Sequence, residues 1–91
     1  MERNYDLSDP TDLEVLKSDF EMYSPDDWQA FIDFSLEPDH KRKFSYEERG
    51  CLMTARKKAL YHNHPSYKQM VWALKIADRI ETMKGKGGDH E

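Results

Sequence analysis

The side chains best suited to chemistry gather around the stretch YHNHPSYKQ, residues 61–69. His62 and His64 flank one asparagine, Cys51 lies upstream, and His40 is further back. Such a set is open to three readings: metal ligation, catalysis, or a connection between two helices. A zinc site needs four donors that converge tetrahedrally, usually as two pairs, each from a tight local turn. No CxxC or HxxxH pair accompanies this His-x-His. If Cys51 sits on a helix that ends near His62, the two are separated by roughly 16 Å along its axis at 1.5 Å per residue. A bound metal is therefore not expected. The imidazoles suit the negative end of a helix, from which Pro65 leads to Ser66 as the next cap.

Catalysis has no better footing. Cys51 is the only thiol, and its neighbours at helical spacing are Ala55 and Ala59, so it reads as a small buried hydrophobe. The carboxylates are plentiful but spread over faces expected to meet water, whereas acid–base work needs two in one desolvated pocket. KGKGG, residues 84–88, lacks the strand, spacing and Ser or Thr of a phosphate loop. The expectation is a non-enzymatic protein without a cofactor.

Binding chemistry is better supplied. Residues 1–40 hold twelve acids against Arg3 and Lys17, a balance of −10. Residues 41–91 hold twelve Lys or Arg against six acids, a balance of +6, so the net charge of −4 describes neither half. Opposed charge on this scale points to a charged partner, to a match within the chain, or to head-to-tail association.

Ninety-one residues set a single small domain, which buries somewhat more than ~60% of its unfolded surface. Two tryptophans, five tyrosines and four phenylalanines argue against disorder. The single cysteine excludes an internal disulfide and fits a reducing compartment. No apolar run approaches a membrane span and MERNYDLSDP is unlike a signal peptide, so a soluble, cytoplasmic protein is expected.

The elements that position these residues are marked by caps. Ser or Thr followed three residues later by an acid or amide occurs at TDLE (11–14), SPDD (24–27), SYEE (45–48) and SYKQ (66–69). Each offers an oxygen to helical N–H groups that otherwise lack a partner. Pro10 suits a first helical position if Asp9 is the true cap of the first helix. Four short helices follow, about 11–22, 25–36, 46–61 and 67–84, with 85–91 as a flexible tail. The fold class is all-α, a small single-domain bundle with an acidic half (1–40) and a basic half (41–84).

Helix periodicity assigns Leu13, Leu16, Phe20 and Tyr23 to the core of the first helix, and Trp28, Phe31, Ile32 and Phe34 or Leu36 to that of the second. The third presents Cys51, Leu52, Ala55 and Ala59 on one side, while Tyr46, Met53 and Leu60 form a second strip roughly opposite. Two apolar strips predict a central helix packed on both sides; the alternative is a homo-oligomer or partner seam. The fourth helix turns Tyr67, Met70, Ala73, Leu74, Ala77 and Ile80 inward, and Lys68, Trp72, Lys75 and Arg79 outward.

Two binding surfaces emerge. Asp12, Glu14, Asp19, Glu21, Asp26, Asp27 and Asp33 form an acidic surface for a basic protein partner, one that could mask a nucleic-acid site. Lys41, Arg42 and Lys43, with Lys68, Trp72, Lys75 and Arg79, form a basic aromatic surface for DNA or RNA, with phosphates on the cations and a base on the indole. The net negative charge favours the first. In size, opposed charge and lack of catalytic residues the chain is similar to the small accessory regulators of phages and other mobile elements, a likeness of style that assigns no residue a role.

Overall fold

The computed structural model describes residues 5–88, and side chains through Lys84. Four α-helices, α1 (Pro10–Glu21), α2 (Pro25–Leu36), α3 (Tyr46–Leu60) and α4 (Tyr67–Gly88), are joined by short links, and the link before α3 contains a 3-10 turn (Lys41–Lys43). No strand occurs among the described residues. The fold is the expected all-α bundle.

Each helix starts where a side-chain oxygen meets a first-turn N–H. Of the two openings open to α1, Asp9 is the cap: its carboxylate accepts from the Thr11 N–H, and Pro10 occupies the first turn. Ser24 and Ser45 each close a full capping box, with Asp27 and Glu48 returning the bond to the serine N–H. Ser66 accepts from the Gln69 N–H at the start of α4. Ahead of α1, the Asp6 carboxylate accepts from the Ser8 hydroxyl and N–H, which holds it below the ordinary carboxylate range. Tyr5 donates to Asp19, and both Tyr5 and Leu7 pack on the core.

α4 runs four residues past its expected end. Glycine lowers helix propensity by about 1 kcal/mol relative to alanine but does not forbid the conformation. Residues 89–91, the rest of the expected tail, lie outside the described residues.

The core joins Leu16 and Phe20 of α1, Trp28, Phe31, Ile32 and Phe34 of α2, Cys51, Leu52 and Ala55 of α3, and Met70, Ala73, Leu74, Ile76, Ala77 and Ile80 of α4. Phe44, which lies outside every helical repeat, is buried too and anchors the link before α3. Its ring meets Phe34 edge-on at 6.3 Å, and the His40 ring stacks on Phe34 at 3.9 Å. The polar segment 37–43 is thereby wrapped around an aromatic anchor.

The expectation of a central α3 is overturned. α4 is the helix that packs against the other three, because its buried arc includes Ile76 as well as Met70, Ala73, Leu74, Ala77 and Ile80. α3 lies between α2 and α4 and buries only its Cys51–Leu52–Ala55 side. Its second strip stays outside: Tyr46 is 83% exposed, Met53 51% and Leu60 48%. In α2, Phe34 takes the inward place and Leu36 remains exposed. Leu13 is half-buried, whereas Tyr67, also expected inside, is exposed.

The α3–α4 connection is fixed by backbone geometry. After the cap residue Tyr61, His62 adopts a left-handed conformation (φ 58°) and donates to the Ala59 carbonyl, while the Asn63 N–H donates to Lys58 at 2.7 Å. This pair of bonds is the Schellman ending, whose left-handed position favours glycine. His62→Gly is therefore expected to stabilise the protein by about 0.5–1 kcal/mol, and His62→Val to destabilise it by at least as much. Thermal melts followed by circular dichroism check both; a lower melting temperature for His62→Gly would contradict this account.

Candidate functional site

The histidines that first suggested chemistry serve the connection. His64 Nε2 lies 2.7 Å from Glu21 Oε2 and its ring packs 5.9 Å from Phe20, tying the end of α1 to the α3–α4 link. His40 is held on Phe34, with Nδ1 3.2 Å from Glu37. His62, Asn63 and His64 rim a cleft of about 350 Å³ floored by Phe20, Tyr23 and Ala59. Among the described residues no three His, Cys, Asp or Glu side chains converge on a point that would hold a metal ion. Cys51 is buried on the inner side of α3 with Sγ 3.7 Å from the Gln69 carbonyl. Burial, helped by the negative charge of Glu48, pushes its thiol up to about 11. It is thus a neutral thiol near pH 7, a poor nucleophile.

The seven acids singled out in the sequence do not form one surface. On α1, Asp12 accepts from the Asp6 N–H at 2.8 Å and Asp19 from Tyr5, so both face the N-terminal arm. Glu14 and Glu21 lie on the other flank, Glu14 3.9 Å from Lys17 and Glu21 against His64. On α2, Asp27 is spent on the Ser24 cap. Asp26 and Asp33 are exposed and, seven residues apart, stand within about 20° of each other on the helix. Asp33 accepts from the Gln29 amide at 2.9 Å. The acids free of capping and arm contacts are therefore Asp26 and Asp33 on α2, with Glu14 and Glu21 on α1.

The basic set divides in a similar way. Lys41, Arg42 and Lys43 are exposed on the 3-10 turn, and Lys68 and Lys75 are exposed on α4 either side of Trp72, itself 40% exposed. Arg79, on the same face, is also exposed, with 42% of its side chain open to solvent, but its guanidinium lies along the surface of the fold. Its guanidinium donates to Glu48 at 2.8 Å and to the Lys43 carbonyl, and lies 4.4 Å above the Phe44 ring. Sequence spacing places Arg79 among the solvent-facing cations, and it is exposed, but spacing gives no view of its contacts with Phe44 and the α3 cap.

The exposed face of α3 carries more than the strip read from its seven-residue spacing. Gly50, Lys57 and Tyr61 share it, all exposed. At 100° per residue they lie within about 60° of Tyr46, a signal present in the sequence but masked by their mixed chemistry. A side chain at Gly50 would meet nothing within 4 Å.

No protein-family model matches this chain, and the searches of curated proteins and of solved structures return no match either. No helix among the described residues is long and apolar enough to cross a membrane.

Proposed function

We propose that the chain is a non-enzymatic regulatory protein that acts by binding a protein partner with a basic surface, through the exposed acids of its first two helices. Occupying such a surface would block the partner's access to nucleic acid. The reading is carried by one observation: twelve acids against two bases in the first forty residues. Charge of one sign on a small rigid element speeds encounter with an oppositely charged surface and makes binding sensitive to salt. Asp26, Asp33 and Glu14 are exposed and outside the caps, which suits them to this role.

The test is affinity capture from a lysate of the source cells, with and without nuclease, comparing the native chain with a Glu14→Lys, Asp26→Lys, Asp33→Lys variant. These positions spare the caps and the N-terminal arm, so the variant is expected to fold. The expected result is a protein retained after nuclease treatment, lost with rising salt, and bound at least tenfold more weakly by the variant. Unchanged capture by the variant would defeat the proposal.

A second reading is favoured by the exposed Lys68–Trp72–Lys75 face and the exposed 41–43 turn. Under it the protein binds DNA or RNA, with Trp72 stacking on a base. Anisotropy of a labelled mixed-sequence oligonucleotide at low salt decides: binding that Trp72→Ala and Lys75→Ala weaken would favour it, and no binding would dismiss it.

A further inference from the structure

The exposed face of α3 is unusual for one that no other described element covers. Tyr46, Met53 and Leu60 recur at seven-residue intervals, and Tyr61 extends the row with 65% of its surface exposed. Gly50 sits within this row in the middle of the helix. Glycine there weakens the helix, yet no neighbouring atom within the fold requires its missing side chain. A residue that costs stability and serves no internal packing is explained by an external surface that comes close to the backbone.

The charges on α3 say which surface. Its first turn carries Glu47, exposed, and its last turn carries Lys57 and Lys58. Glu47 and Lys58, eleven residues apart, lie on the same flank, separated by about 20° around the axis. Two such helices run antiparallel about a two-fold axis beside Met53 bring like flanks together. Lys58 then falls beside the partner's Glu47, and the partner's Lys58 beside Glu47. Leu60 meets the partner's Tyr46, and the stem of Lys57 enters the notch left by the partner's Gly50. On the other flank Arg49 is bonded to the Phe44 carbonyl at 2.8 Å, which turns its charge inward and away from Arg56 of the facing copy. A parallel pairing would bring unlike flanks together, setting Lys58 against the flank that carries Arg56, and would form no reciprocal Glu47–Lys58 pair. The face is therefore self-complementary in the isologous sense that a two-fold dimer requires.

We infer that a second copy of this chain docks antiparallel on the Tyr46–Gly50–Met53–Leu60 face of α3, forming a weak homodimer. The inference stands apart from the proposed function, since it uses neither the exposed acids of α1 and α2 nor the basic face of α4. A single 15-residue helix pairing with its copy is about 22 Å long, which places the interface below the ~1,200 Å² of stable complexes. Self-association with a dissociation constant on the order of tens of micromolar is expected.

Sedimentation velocity of the full chain from about 5 to about 500 µM, at low and at high salt, reads it directly. The expected result is a monomer that converts to a dimer over this range, less readily at high salt. Met53→Glu, which sets two carboxylates together at the axis, is expected to weaken the dimer at least tenfold while circular dichroism stays native. Glu47→Lys weakens it as well, and the exchange Glu47→Lys with Lys58→Glu restores it. Gly50→Ala gives the most telling contrast: the monomer melts roughly 4–8 °C higher, but the dimer is weakened because the notch is filled. A chain that stays monomeric throughout, or a dimer untouched by Met53→Glu and the Glu47 variants, overturns the inference.

Discussion

Trp28→Ala is expected to cost the fold about 3–5 kcal/mol, enough to leave much of the population unfolded at 37 °C. Trp28 is fully buried and is the hub of the aromatic cluster. Phe20 lies 5.5 Å from it, Tyr23 5.2 Å and Phe31 5.6 Å, so one side chain connects the end of α1 to two turns of α2. Truncation removes the largest buried side chain and opens a cavity that three aromatic rings cannot fill by small shifts. Trp28→Phe should cost far less, about 1–2 kcal/mol, because it keeps an aromatic ring in place. It also removes an indole N–H that is buried without a hydrogen-bond partner, a group that is itself costly to bury. Urea denaturation followed at 222 nm separates the two variants. Equal midpoints for Trp28→Ala and the native chain would disprove the central role given to this residue.

Arg79→Ala should lower stability by about 1 kcal/mol, whereas Lys68→Ala and Lys75→Ala, on the same helix face, should each change it by less than about 0.5 kcal/mol. The difference comes from what the side chains touch. Arg79 is joined to Glu48, whose other carboxylate oxygen accepts from the Ser45 N–H at 2.8 Å, so the pair reinforces the cap of α3. The guanidinium also satisfies the Lys43 carbonyl and covers the buried Phe44 ring. Losing it exchanges these bonds for bonds to water, because the pair is open to solvent, so the loss is about that of a well-placed surface pair together with the lost packing on Phe44. Arg79→Lys keeps the charge but not the planar fork, and should recover less than half of the loss. For a chain of this size the alanine variant should melt roughly 5 °C lower. Equal melts for Arg79→Ala and Lys75→Ala would show the contacts to be energetically empty. The result also bears on nucleic-acid binding, because two of the five guanidinium N–H donors are already engaged within the fold.

Several features are legible in the residues themselves. α2 begins and ends where its serine cap and Pro38 indicate, since both signals act within one helical turn. The same locality explains Ser45 and Ser66. The first helix is ambiguous between Thr11 and Asp9 because both side chains are competent caps, and the backbone turn before Pro10 selects Asp9. The role of Tyr46, Met53 and Leu60 is not legible in this way. Spacing shows that they share a face, but whether another helix covers that face depends on how α1, α2 and α4 are arranged. His62 illustrates a different limit. A left-handed residue other than glycine is uncommon, though histidine is among those enriched there; the need to end α3 and turn into α4 within a few residues sets its place.

The sequence by itself determined the helical class, the cap positions and the division of charge, because these depend on contacts within a turn or on composition alone. The tertiary structure decided which charges remain available. It spent Asp27 on a cap, bound Asp12 and Asp19 to the N-terminal arm, and turned Arg79 onto Phe44. It also placed α4 rather than α3 at the centre and left the Tyr46 strip uncovered. These outcomes rest on which distant residues meet across the core, as Arg79 and Glu48 do across 31 positions of chain, and helix periodicity carries no record of such meetings.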